Sequence, residues 1–63
     1  MKKKILEIII KDGWEDYSTK FGYDEHLYGK KNKLLLYNTR ADIVTYYFDY
    51  KKMDVTIPEK YRK

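Results

Sequence analysis

From Lys3 to Lys11 the hydrophobic positions divide by face: Leu6, Ile8 and Ile10 share one face of an extended chain, and Ile5, Glu7, Ile9 and Lys11 the other. The period of two and the abundance of β-branched isoleucine predict a strand with one wholly apolar face. Asp12-Gly13 follows at once and predicts a two-residue hairpin turn, because both residue types tolerate positive φ. Trp14 to Ser18 would return as a short second strand. The stretch from Thr19 to Lys33 is polar, contains Gly22, Gly29 and Asn32, and keeps neither a helical nor a strand period. It reads as a long loop with room for one helical turn. Leu34-Leu35-Leu36-Tyr37 is short enough for a strand buried on both faces, and Asn38 to Ala41 reads as a turn.

Two periods compete from Asp42 to Tyr50. Val44, Tyr46, Phe48 and Tyr50 alternate as in a strand, whereas Ile43, Tyr46, Tyr47 and Tyr50 match helical spacing. Thr39 and Asp42 would then form a capping box. The β-branched run Ile43-Val44-Thr45 and the aromatics behind it favour the strand. Met53, Val55 and Ile57 alternate once more and predict a last strand that Pro58 ends. The expected fold is mostly β, a small curved antiparallel sheet or barrel of four to five strands. The alternative is an α+β sheet with one helix near 40–52. No linker or repeat divides the chain, so residues 1–63 read as a single small domain, with 59–63 as a loose basic tail.

Composition changes this picture mainly through its rings: the 63 residues hold eight tyrosines, two phenylalanines and one tryptophan, and no cysteine. A domain this short buries only about 60% of the surface its unfolded chain exposes, so several rings are expected outside, as contact area with a polar handle. Without cysteine no disulfide staples the fold, and a single histidine does not make a structural zinc site. An aromatic-rich core, or a homodimer formed through a sheet edge, would have to stabilise it instead. Lys2, Lys3 and Lys4 followed by Ile5 to Ile10 imitate a signal peptide, but Glu7 interrupts the apolar run and Lys11-Asp12-Gly13 stands where small cleavage-site residues belong. With no apolar segment near the length of a membrane span, the expected location is the cytoplasm. Twelve lysines against two arginines, with six isoleucines and one alanine, suggest an AT-rich coding sequence, as in a low-GC bacterium or a phage or plasmid living in one.

Charge is uneven along the chain, with a formal −4 over residues 12–28 and +8 over the remainder. In the acidic segment, rings stand among carboxylates: Trp14, Asp16, Tyr17, Phe21, Tyr23, Asp24 and Glu25 form the expected binding surface for a basic groove on another protein. The reading is a non-catalytic inhibitor of phage or mobile-element type that occupies a host protein, one that handles nucleic acid. As an alternative, Lys30, Lys31, Lys33, Lys51 and Lys52, interleaved with Tyr46 and Tyr47, would bind single-stranded nucleic acid directly, phosphates on lysines and bases on rings. A third reading is a metal-independent ribonuclease-type toxin in which His26, oriented by Asp24 or Glu25, acts as general base beside Tyr28 or Lys30. No second acid–base partner stands at a telling spacing, so no catalytic residue is assigned. Asp12, Asp16, Asp24, Glu25 and His26 fit neither an EF-hand loop nor a zinc motif, so no metal or other cofactor is expected. Without a basic amphipathic helix, no membrane partner is expected either.

Overall fold

The computed structural model describes residues 3–20 and 24–62, the side chains of residues 18–20 excepted. A helix, α1 (Lys4–Lys11), precedes four strands, β1 (Glu15–Lys20), β2 (Glu25–Lys30), β3 (Lys33–Asn38) and β4 (Ile43–Asp49), and a 3₁₀ turn, Glu59–Tyr61, follows them. The strands form one open antiparallel meander in sequence order, not a closed barrel. The expectation of a mostly β antiparallel fold with four strands holds.

The first expected strand is instead α1. Ile5 and Ile9 lie one helical turn apart and are buried, with Leu6 and Ile8 packed beside them, while Glu7, Ile10 and Lys11 face solvent. Positions 5, 6, 8 and 9 make one stripe at a period of 3.6, which the same residues also satisfy at a period of two. Asp12-Gly13 is therefore no hairpin but the end of the helix. Gly13, at φ 86, donates its N–H to the Ile10 carbonyl at 3.1 Å, and Trp14 donates to Ile9 at 3.3 Å. These are the paired bonds of a Schellman motif, and the buried Ile9 and Trp14 supply its apolar contact.

A helix of eight residues is marginal alone, so its ends are held by the rest of the fold. Its first turn receives no cap from Lys3. Asp42, at φ 55 in the β3–β4 turn, supplies one from 37 residues away: the backbone N–H groups of Ile5 and Leu6 donate to its carboxylate at 3.2 and 3.3 Å. The Tyr37 hydroxyl donates to the same carboxylate at 2.6 Å. At the other end, Trp14 Nε1–H donates to Tyr61 Oη at 2.8 Å, and Tyr61 in turn donates to Asp12 at 2.6 Å. Lys60 Nζ lies 2.7 Å from the same Asp12 oxygen. This clamp seats Lys60 and Tyr61, within the segment expected as a loose basic tail, leaving Tyr61 only 2% exposed.

Between these two clamps lies the core of Ile5, Ile9, Trp14, Tyr28, Leu35, Tyr37, Val44, Tyr47 and Tyr61. Its rings meet edge to face, Trp14 with Tyr47 at 6.1 Å and with Tyr61 at 6.3 Å, and Tyr28 with Tyr37 at 6.3 Å. In β4 the register against β3 slips: Leu36 faces Tyr46 and Tyr37 faces Val44, so Thr45 is an extra residue, a β-bulge. The bulge puts residues three apart on one side, Val44 with Tyr47 on the buried side and Ile43 with Tyr46 on the other, and the latter pair is part of the helical spacing. β2 occupies the expected long loop; its sequence EHLYGK has weak strand propensity, and pairing on both edges holds it. The expected last strand at 53–57 is reduced to a single bridge between Asp49 and Asp54, with Met53 and Val55 exposed. An alternating pattern there meets no neighbouring strand.

Asp42→Ala is expected to destabilise the protein by about 2–4 kcal/mol, since it removes the helix cap and leaves the Tyr37 hydroxyl buried without an acceptor. Asp42→Asn keeps an oxygen acceptor and tolerance of positive φ, and is expected to cost about 1 kcal/mol. Urea titrations of the two variants check the difference.

Stability is also expected to fall at both pH extremes. Hydrogen bonds from Lys60 and Tyr61 hold the Asp12 carboxyl below the usual carboxylate range. Its contribution is thus complete above the ordinary pKa of about 3.9 and disappears as pH drops through the lower folded value. Burial, followed by the hydrogen bonds to Asp42 and Asp12, raises the Tyr37 and Tyr61 phenols. Their contribution is complete below about pH 10 and is lost as pH rises beyond it. Urea midpoints measured against pH should bend at both ends, and Asp12→Asn should flatten the acid limb.

Candidate binding surfaces

Helix α1 and the terminal turn cover one face of the sheet, packing on the side that carries Leu35, Tyr37, Val44 and Tyr47. No described element covers the other face. Residues paired across neighbouring strands share a face, so the register assigns its rows. Leu27, Leu36 and Tyr46 form one row across β2, β3 and β4, and Gly29, Leu34 and Phe48 the next. All three leucines and Phe48 are half-buried, and Tyr46 is 46% exposed. Glu15 pairs with Gly29 and Glu25 with Asn38, which puts a carboxylate at each of two margins of the face.

Tyr17 extends this surface onto β1. Its ring lies across the backbone of Gly29, in the space a Cβ would take, so the missing side chain at 29 is what lets the ring lie flat on the sheet. Four strands about 4.8 Å apart and some six residues long give a footprint of roughly 400 Å². Only part of that footprint is exposed apolar surface, centred on Tyr17 and Tyr46 with the half-buried leucines and Phe48 between and beside them.

The acidic–aromatic segment singled out in the sequence is divided by the fold. Trp14 is 8% exposed and hydrogen-bonded within the core. Asp16 lies on the helix side of the sheet, opposite Tyr28, whose phenol is raised by burial and secondarily by the Asp16 charge. Tyr17 and Glu25 share the uncovered face, and Asp24 sits at the entrance of β2, its carbonyl accepting from Thr39 N–H at 2.8 Å. Phe21 and Tyr23 lie outside the described residues. His26 is half-buried on β2 opposite Tyr37, on the helix side.

Of the lysine–tyrosine surface, the lysines do converge. Lys30 and Lys33 face each other where β2 turns into β3, Lys31 occupies that turn, and Lys51 and Lys52 follow β4 at the same end of the sheet. The Tyr50 N–H donates to the Asn32 carbonyl at 2.7 Å and ties the two turns together. Tyr46 stands on the uncovered face, whereas Tyr47 is buried against Trp14 and Tyr61. Leu27, Leu34, Leu36 and Phe48 carry much of the uncovered face, and sequence reasoning missed them. The apolar pair Leu34 and Leu36 in register with Tyr46 and Phe48 was the available signal, hidden by reading Leu34 to Tyr37 as buried on both sides.

Among the described residues no three of the metal-ligating types His, Cys, Asp and Glu converge, and no helix is long and apolar enough to cross a membrane. The chain matches no family model, no curated protein and no solved structure.

Gly29→Ala is expected to lift the Tyr17 ring off the sheet while changing stability by no more than about 1 kcal/mol, because a residue with better strand propensity offsets the lost contact. Chemical shifts of the Tyr17 ring protons, read beside a urea titration, check both halves.

Proposed function

We propose that the protein is a non-catalytic binding module that docks on another protein through the helix-free face of its sheet. The single observation that carries this reading is the row Leu27–Leu36–Tyr46 with its neighbours Leu34, Phe48 and Tyr17, an apolar and aromatic surface left bare on one side of the sheet. Leucines alternate with rings there, and a nucleobase gains stacking only from the rings, so the mixture suits apolar side chains of a protein better than bases. Rings that are rigid, half-apolar and hydroxylated supply interface energy at low entropic cost, which suits Tyr17 and Tyr46 as anchors. Glu15 and Glu25 at the margins favour a partner whose apolar patch is rimmed by basic residues, and they would guide its approach rather than hold it. The lysine- and isoleucine-rich composition of an AT-rich coding sequence points to a bacterial host factor as that partner, occupied by a phage or mobile-element inhibitor.

Relative to the acidic–aromatic segment, the contact surface moves. Trp14 belongs to the core, and Leu36 and Tyr46 take its place as the centre of the docking face. Immobilised wild-type protein is expected to retain a specific protein from a low-GC bacterial lysate, identified by mass spectrometry. Against that purified partner, Leu36→Asp and Tyr46→Ala should each weaken binding by about 2 kcal/mol, with circular dichroism unchanged. Affinity unaltered by both substitutions would end the proposal.

A further inference from the structure

The lysine end of the sheet is a second surface, separate from the docking face, and its charges are arranged at a cost to the fold. Lys30 and Lys33 stand directly opposite each other across β2 and β3, an unfavourable placement for like charges. The register that forces it is set elsewhere, by Tyr28 against Leu35 and His26 against Tyr37. The carboxylates close by are engaged mainly by other groups, although Asp49 stands across the strands from Lys33, and Glu15 lines a shallow concavity with Lys30 and Lys31. Asp49 is buried, and its Oδ1 accepts from the backbone N–H groups of Lys51 and Lys52 at 3.0 and 3.1 Å. Asp54 accepts from Thr56 N–H at 2.9 Å, and Asp12 is taken by Lys60 and Tyr61. Among the described residues none of Lys30, Lys31, Lys33, Lys51 and Lys52 is in an ion pair. Asp49 thus shapes the turn that presents two of these lysines.

A ring stands at the same corner. Tyr50 is 50% exposed and is braced edge-on by Phe48, with centroids 4.9 Å apart and planes at 89°. Its backbone N–H is the bond that joins the two lysine-bearing turns. Cations in excess of the nearby carboxylates along two linked turns, beside a fixed and accessible ring, are the two elements by which single strands are held: phosphates on lysines and a base on the ring.

We propose that this end of the sheet, Lys30, Lys31, Lys33, Lys51 and Lys52 with Tyr50, binds single-stranded nucleic acid. A lipid surface offers anionic charge as well, but it gives a braced ring no face to stack on, and Met53 is the one strongly exposed apolar side chain among the turn residues 50–53.

The test is fluorescence anisotropy of the full chain with a labelled 15-nucleotide oligothymidylate, against duplex DNA of equal length and vesicles of phosphatidylglycerol. Single-strand affinity is expected to fall about 50-fold between 50 and 200 mM salt, as for some four neutralised phosphates. The triple variant Lys31→Asn, Lys51→Gln, Lys52→Gln changes exposed side chains and keeps at position 31 a residue tolerant of its φ of 50. It should reduce the slope of log K against log salt by about 2. Tyr50→Ala should lower affinity about tenfold and leave the slope unchanged. Circular dichroism and urea midpoints confirm that both variants fold, and the triple variant should be no less stable than the wild type without ligand. Absence of binding at 50 mM salt overturns the proposal. So does an unaltered affinity in Tyr50→Ala, which would mean charge attraction alone, and so does tighter binding to duplex or vesicles than to the single strand.

Discussion

The carboxylate of Asp42 is the contact on which the arrangement of the whole fold depends. It stands in a turn between two strands, yet it accepts from the first turn of a helix 36 and 37 residues earlier and from the Tyr37 hydroxyl in the core. A negative group at a helix N-terminus satisfies donors the helix itself cannot pair and meets the positive end of its dipole. One residue thus joins helix, turn and core, and it selects which side of the sheet the helix covers. A short amphipathic helix has only one apolar stripe to bury. Once that stripe is committed to Leu35, Tyr37, Val44 and Tyr47, it cannot shield Leu27, Leu36 and Tyr46 on the far side.

Tyrosine makes this small interior workable. Phenylalanine in place of Tyr37 or Tyr61 would fill similar volume but leave Asp42 or Asp12 short of a donor. These two phenols each spend the hydroxyl on a carboxylate at a helix end, at 2.6 Å in both cases, so the rings pack the core while their tips fasten the helix. Hydrogen bonds to a charged acceptor are worth more than neutral ones, which matters where apolar burial is thin. The ring surplus expected from composition is divided accordingly. Trp14, Tyr28, Tyr37, Tyr47 and Tyr61 go inside, and Tyr17, Tyr46 and Tyr50 remain about half exposed.

How much of this was legible in the sequence depended on whether the deciding interaction was local. β3, β4 and the turn between them were readable because β-branched and aromatic runs, and Asn38 closing its turn onto Ala41 at 2.8 Å, act over a few residues. The helix was not readable, since Ile5, Leu6, Ile8 and Ile9 suit either period and the choice is made by Asp42 from across the chain. Gly13 supplied positive φ in both readings, and only the bonds to Ile9 and Ile10 distinguish a helix end from a hairpin. The doubled period at 43–50 was a bulge, which breaks alternation without leaving the strand. β2 was invisible because its neighbours, not its own residues, make it a strand. For the same reason the outer face could not be seen: it exists only once four strands are in register.

Linear charge misleads in a meander for a related reason. The acidic stretch 12–28 is contiguous in sequence, yet it reaches from the C-cap of α1 through β1 into β2, so its described carboxylates are divided between the faces of the sheet. Asp16 and Glu15 are neighbours in the chain and look in opposite directions. The lysines behave in the reverse way. Lys30, Lys31, Lys33, Lys51 and Lys52 are spread over 23 positions, but both turns that carry them lie at one end of the strands, and the bond from Tyr50 to Asn32 locks those turns together. In an antiparallel sheet, side chains on alternate turns share an end and side chains along one strand are split between faces. Charges on turns are therefore gathered by the fold and charges on strands are dispersed by it. That leaves a mainly apolar sheet face with carboxylates at its margins beside a concentrated basic end, two surfaces whose chemistries suit different partners.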